Sequence, residues 1–102
     1  MSQVNYKISH QATKDLENIW QYTFENWSIE QADKYINFIL NELEHLADYP
    51  ESGKDFHSIR QNYRYSKIKS HIIFYRISAL DGPIEIIRVL HERMDLENRL
   101  DD

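Results

Sequence analysis

The chain has no cysteine, only two glycines and two prolines, and no long apolar run. The first absence excludes disulfide staples, thiolate zinc sites and cysteine nucleophiles, and it fits a reducing compartment. No stretch approaches the ~20 apolar residues that span a bilayer, and residues 1–5 lack a basic segment followed by an apolar one. A cytoplasmic chain that contacts no membrane is the expectation. His10, His45, His57, His71 and His91 are scattered without metal-ligand spacing, so no metal and no cofactor are expected.

What remains is globular in character. With 102 residues, 41% of them apolar and 28% charged, the chain can bury one core, and a single domain over residues 1–102 is expected. Aromatic residues reach 13%, seven of them tyrosines, so large rings with polar tips help to build that core. The net charge of −5 conceals a segregation along the sequence. Residues 1–57 carry 4 basic and 10 acidic side chains, residues 58–93 carry 7 and 3, and residues 94–102 carry 1 and 4. The basic middle implies either a face that meets an anionic partner or merely the solvated side of a sheet.

Periodicity sets the order of elements. Val4, Tyr6 and Ile8 alternate with polar neighbours, as on a half-buried strand. Ser9 can cap a helix over residues 10–26, where Ala12, Leu16, Ile19, Trp20, Thr23 and Trp27 recur at spacings of three and four. On this pattern Trp20 and Trp27 belong to the core, and Asp15 reads as an exposed acid of the first turn favoured by the helix dipole. Ser28 and Gln31 form a capping box that starts a second helix, whose stripe runs Ala32, Tyr35, Ile36, Ile39, Leu40, Leu43, Leu46, Ala47. Tyr49-Pro50 ends it, because the residue before a proline avoids helical geometry. Only Trp27 and Ser28 separate the helices, so they form an antiparallel hairpin. Pro50 and Gly53 mark a turn. Three strands then follow over residues 63–68, 71–77 and 84–91, linked by Lys69-Ser70 and by a loop containing Asp81-Gly82. The last is apolar on both faces and is expected inside the sheet. The fold class is α+β, ordered β-α-α-β-β-β: a helical hairpin packed on a small, mainly antiparallel sheet. Residues 94–102 form a polar tail in which Leu96 and Leu100 can place a turn of helix on the surface.

Several separated motifs resemble the ParE branch of the ParE/RelE toxin superfamily. Ala12-Thr-Lys-Asp15-Leu16-Glu-Asn-Ile19-Trp-Gln-Tyr22 is similar to that family's A-x-x-D-L-x-x-I-x-x-Y, followed by Trp27, Ala32 and Tyr35. Leu46-Ala47-Asp-Tyr-Pro50-Glu-Ser-Gly53 ends the second helix in the family manner. Arg64, His71-Ile-Ile-Phe-Tyr75-Arg76 and Ile86-Ile87-Arg88-Val89-Leu90-His91-Glu-Arg-Met94-Asp95 resemble its strand signatures in the same order. The resemblance implies a toxin of a type II toxin-antitoxin pair that acts on DNA gyrase without being an enzyme. It also implies a hetero-oligomer with a ParD-like antitoxin.

Two chemistries compete for the basic strands. Cleavage of ribosome-bound messenger RNA, as in the RelE branch, needs a base for the ribose 2′-hydroxyl, cations for the phosphorane-like charge and an acid for the leaving oxygen. Arg64, Arg76, Arg88 and His91 are the candidates for that work, with His71 and Glu92 in reserve. Docking instead assigns target contact to Arg60, Arg64, Lys67, Arg76, His91, Arg93, Met94 and Asp95. The structural alternatives are that His91 bonds backbone or a carboxylate such as Asp95, and that Arg88 pairs with Glu85 or an acidic helix residue. For the antitoxin, a groove and an open strand edge beside the hairpin suit an amphipathic helix and an added strand. Phe24, Phe38 and Phe56 are candidates for lining it, or for closing the rim of the core.

Overall fold

A computed structural model describes residues 6–55, 62–77 and 82–94. Val4, Phe56, Arg60, Asp95, most of the Ala79–Pro83 loop and the Leu96/Leu100 turn lie outside the described residues.

Two serines start the two helices. Ser9 Oγ accepts the Ala12 N–H at 2.9 Å and opens α1 (His10–Asn26), and Ser28 Oγ accepts the Gln31 N–H at 3.1 Å and opens α2 (Ile29–Asp48). The Trp27 N–H closes α1 on the Thr23 carbonyl. A 3-10 turn at Pro50–Ser52 follows α2, where proline cannot continue the helix. Ala12 and Ile19 of α1, with Ala32, Ile39, Leu43 and Leu46 of α2, are buried along the stripes that the spacing predicts.

The strands are β1 (Tyr6–Ile8), β2 (Lys54–Asp55), β3 (Tyr63–Ile68), β4 (His71–Arg76) and β5 (Ile84–His91), in the spatial order β1-β5-β4-β3-β2. β1 runs parallel to β5 and every other pairing is antiparallel. The last strand therefore lies inside the sheet, as its doubly apolar pattern requires. β2 is an addition to the expected order. Its two residues pair with Tyr65 and Arg64, a length too short to carry an alternation.

The helices cover one face of the sheet. Ile73 and Tyr75 of β4 and Ile84, Ile86 and Val89 of β5 join the helical stripes in the main core. Phe74 and Leu90 are buried in a second cluster with Tyr63, Tyr65 and Ile72. Between β4 and β5 the register slips: Phe74 faces Arg88 but Tyr75 faces Ile86, leaving Ile87 as the extra residue of a bulge. Its carbonyl is taken by the Ser9 hydroxyl at 2.7 Å, so one serine caps α1 and fastens it to β5.

A clamp ties the end of α2 to the sheet. The Tyr75 hydroxyl donates to the Pro50 carbonyl at 2.6 Å and accepts the Gly53 N–H at 3.0 Å. Arg64 Nη2 donates to the carbonyls of Glu51 and Gly53 at 3.1 and 2.7 Å. Gly53 is needed for the close approach, since a Cβ there would stand 2.8 Å from the Tyr65 carbonyl oxygen and nearer still to the Tyr75 hydroxyl. Among the described residues, no helix is long and apolar enough to cross a membrane.

Candidate functional site: an open cavity between the hairpin and the sheet

Where α1 leaves the sheet, a cavity of about 700 Å³ opens between the helical hairpin and the ends of β4 and β5. Asp15, Ile19 and Tyr22 come from α1, three and four residues apart, so one helical face supplies a whole wall. Tyr35 of α2 closes the back, and His71, Val89 and His91 form the floor. Three large side chains stand exposed at the rim: Tyr22 at 61%, Trp27 at 66% and Met94 at 43%. Trp27 is thus not the core residue that helical spacing suggests, because it lies one residue past the end of α1 and turns outward. Trp20 is half-buried, with its indole N–H on Asp33 at 2.9 Å.

The polar groups of the floor are engaged with one another. Asp15 is not an exposed acid of the first turn. α1 starts at His10, which puts Asp15 in its second turn, and only 12% of its side chain is exposed. Asp15 Oδ2 accepts from Arg88 Nε at 2.8 Å and from the Val89 N–H at 3.0 Å, and Oδ1 accepts from Arg88 Nη2 at 3.0 Å. β1 ends at Ile8, opposite Ile86, and the carboxylate takes up a β5 amide three residues further on. Tyr35 and His71 Nδ1 share a hydrogen bond of 2.6 Å, and the His71 and His91 rings meet edge to face at 5.2 Å. Burial, reinforced by the neighbouring His91, lowers the His71 pKa to about 4, so its imidazole is neutral at pH 7. Burial also pushes the Tyr35 phenol up, which keeps its proton in place. His91 Nδ1 accepts the Arg93 N–H at 3.1 Å, the backbone partner that its place at a strand end suggests.

The residues named for cleavage do not converge. Arg64 serves the clamp below α2, and Arg76 Nη2 donates to Glu85 at 2.5 Å. Arg88 is held by Asp15, the acidic helix residue rather than Glu85. His91 pairs with His71 at one end of β4 and Arg76 closes the other, five residues on, roughly 17 Å at ~3.4 Å per residue. Of the docking candidates, His91 and Met94 line the cavity. Lys67 pairs with Glu92 at 2.8 Å beside it and holds the Glu92 carboxyl below its usual range, chiefly through their hydrogen bond. Phe24 and Phe38 stand off the cavity: Phe24 stacks on Trp20 at 5.3 Å, and Phe38 lies 4.8 Å beneath the Lys69 ammonium. Asp15, Tyr22, Trp27 and Tyr35 are among the cavity residues that spacing alone did not nominate. The recurrence of Asp15, Ile19 and Tyr22 on one helical face was the signal available.

Known proteins are similar to this chain in sequence and in fold. Toxin ParE1 of Mycobacterium tuberculosis is 36% identical over 95 residues, covering 93% of this chain and 96% of the relative. Toxin ParE1 of Caulobacter vibrioides gives the same identity and coverage, and Toxin ParE of Escherichia coli is 31% identical over 97 residues, covering 95% and 93%. A solved structure described as the chromosomal ParDE TA system from P. aeruginosa superposes with a TM-score of 0.74 at 19% identity, over 86% of this chain and 95% of that one, which establishes a common fold. Residues 6–96 match the profile of the ParE toxin of the type II toxin-antitoxin system parDE, and the chain belongs to that family.

Proposed function

We propose that this toxin arrests its target, DNA gyrase, by docking rather than by cutting RNA, and that a ParD-like antitoxin silences it by covering the cavity and its rim. The observation that carries the docking reading is the employment of the arginines. Arg64, Arg76 and Arg88 are each engaged in pairings inside the chain, with the turn after α2, with Glu85 of β5 and with Asp15 of α1 respectively. Cleavage needs preorganised cations, base and acid around one phosphate. Docking needs an exposed surface of mixed character, which Lys67, Arg93 and Met94 supply beside the cavity. Gyrase as the target rests on the ParE resemblance of the His91–Asp95 segment, and action on gyrase implies a cytoplasmic protein.

For the antitoxin, exposed Tyr22, Trp27 and Met94 form an apolar rim that monomeric surfaces rarely leave uncovered. The fold is shared with a protein of a ParDE system, which supports a partner of the ParD kind. The decisive experiment runs purified protein in a gyrase supercoiling assay beside a translation assay with mapping of transcript ends. Inhibited supercoiling with intact transcripts is expected. Transcript cleavage with unaffected supercoiling would overturn the proposal in favour of a RelE-type nuclease, and inactivity in both would leave an inert, antitoxin-binding relative.

A further inference from the structure

We propose that the cavity between α1 and β5 is a socket for one uncharged aromatic side chain with a polar edge, the indole of a tryptophan or the phenol of a tyrosine, presented by the partner. The identity of that partner rests on the antitoxin reading; the chemistry of the occupant rests on the cavity.

Volume and walls come first. About 700 Å³ lies within the range of pockets that take a drug-sized ligand, ~300–1,000 Å³, so one aromatic side chain fits with room left for the backbone that carries it. Ile19, Val89 and Met94 offer apolar contact, and the Tyr22 and Trp27 rings meet at 6.2 Å with a tilt of 59°, an aromatic angle at the entrance. Those two rings are largely exposed at the entrance, so the occupant arrives on a larger surface that covers them as well. Aromatic anchors set in such pockets dominate binding at protein interfaces.

Charge selects next. Among the described residues that line the cavity, the one carboxylate is Asp15, already engaged by Arg88 and the Val89 amide. An incoming ammonium or guanidinium would have to compete with Arg88 for it. An incoming carboxylate would meet the same Asp15 and lose its water, a transfer that is costly without a partner. The neutral imidazole of His71 adds no charge to attract either.

The floor then separates polar-edged rings from plain ones. His71 and His91 use Nδ1 on Tyr35 and Arg93, which leaves each ring its Nε2, and the Ser70 hydroxyl lies on the same lining. A phenylalanine or leucine sealing the cavity would strand these groups without water, whereas a phenol hydroxyl can accept from an Nε2–H and an indole N–H can donate to the Ser70 hydroxyl.

Fragment binding to the full chain, followed by NMR shifts, tests this with p-cresol, indole, toluene, benzylammonium and benzoate as probes. Expected are p-cresol and indole binding about fivefold or more tighter than toluene, roughly the effect of one modest hydrogen bond, with shifts at Tyr22, Val89 and His91. His91→Phe should bring p-cresol and toluene together, and Asn18→Trp, at an exposed position on the lining, should abolish binding of both. Equal binding of toluene and p-cresol, preference for either charged probe, or binding that survives Asn18→Trp would overturn the proposal. In a second arm the ParD-like antitoxin is titrated into wild type and Asn18→Trp, with at least tenfold weakening expected. Unchanged affinity would sink the socket as the partner's site and leave the antitoxin reading standing. An antitoxin that does not bind wild type would remove that reading, and the fragment measurements would still decide the chemistry of the cavity.

Discussion

Asp15 and Arg88, 73 positions apart, form a two-pronged ion pair that fastens α1 to β5 at the floor of the cavity. Each side chain is largely out of water, at 12% and 13% exposure. Removing Asp15 takes the carboxylate from both Arg88 and the Val89 amide, so Asp15→Ala should destabilise the fold by about 3–5 kcal/mol. Arg88→Ala should cost a similar amount, and the double variant clearly less than the sum of the two. Urea unfolding of the four proteins checks this; additive losses would show that the pair does not act as a unit.

Gly53 and Tyr75 make a second coupled pair, by contact rather than charge. Gly53→Ala should cost about 1–3 kcal/mol, because the added methyl overlaps the Tyr75 hydroxyl and the Tyr65 carbonyl. Tyr75→Phe alone should cost about 1–2 kcal/mol by stranding the Pro50 carbonyl and the Gly53 amide. With the hydroxyl gone, the alanine should be better tolerated than in wild type, a difference visible in thermal melts.

Acid should weaken the fold through His71. Its folded pKa, about 4, lies below the unfolded value near 6.5, so the unfolded chain binds the extra proton between those limits. The contribution is complete above about pH 6.5, falls as pH drops toward 4 and is lost below that. Burial sets the direction and His91 adds to it, against weaker pulls from Glu92 and Asp15. Because His71 is only half-buried, water screens part of the effect, and the total loss should stay well below what the full shift would give. Unfolding midpoints at pH 7 and pH 5 should therefore differ more for wild type than for His71→Gln.

Trp27 separates stability from binding. It is 66% exposed and makes its ring contact with Tyr22, so Trp27→Ala should change stability by no more than about 0.5 kcal/mol. An aromatic anchor that becomes buried in a protein interface is worth about 2 kcal/mol, so antitoxin affinity should fall about thirtyfold. Calorimetry on a sample whose melting curve matches wild type provides the measurement.

The fold was legible wherever a local rule repeats. The bounds of α1, the hairpin at Trp27-Ser28, and β3 and β5 follow from capping serines and from periods of three-and-a-half or two. β2 was not, because two residues carry no period. Asp15 misled for a different reason: a carboxylate on a helix looks the same in sequence whether it faces water or a strand edge, and its partner lies at the far end of the chain. The site was legible only in part for the same cause. His91 and Met94 sit in a distinctive segment, but Tyr22, Tyr35 and Trp27 join them only through the closure of the hairpin onto the sheet. The arginines show the reverse, since similar residues on neighbouring strands are sent to three separate duties.

The Ser9 hydroxyl meets the Ile87 carbonyl across 78 steps of chain, and the three residues of β1 find their ladder on β5. Pairing so distant is intrinsically slow to form, because a long loop must close before the contact rewards it. On a ribosome, the wall built by α1 has no opposing floor until β5 has emerged. The cavity therefore exists only once the first helix and the last strand have been brought together, and neither half of the chain can form it alone.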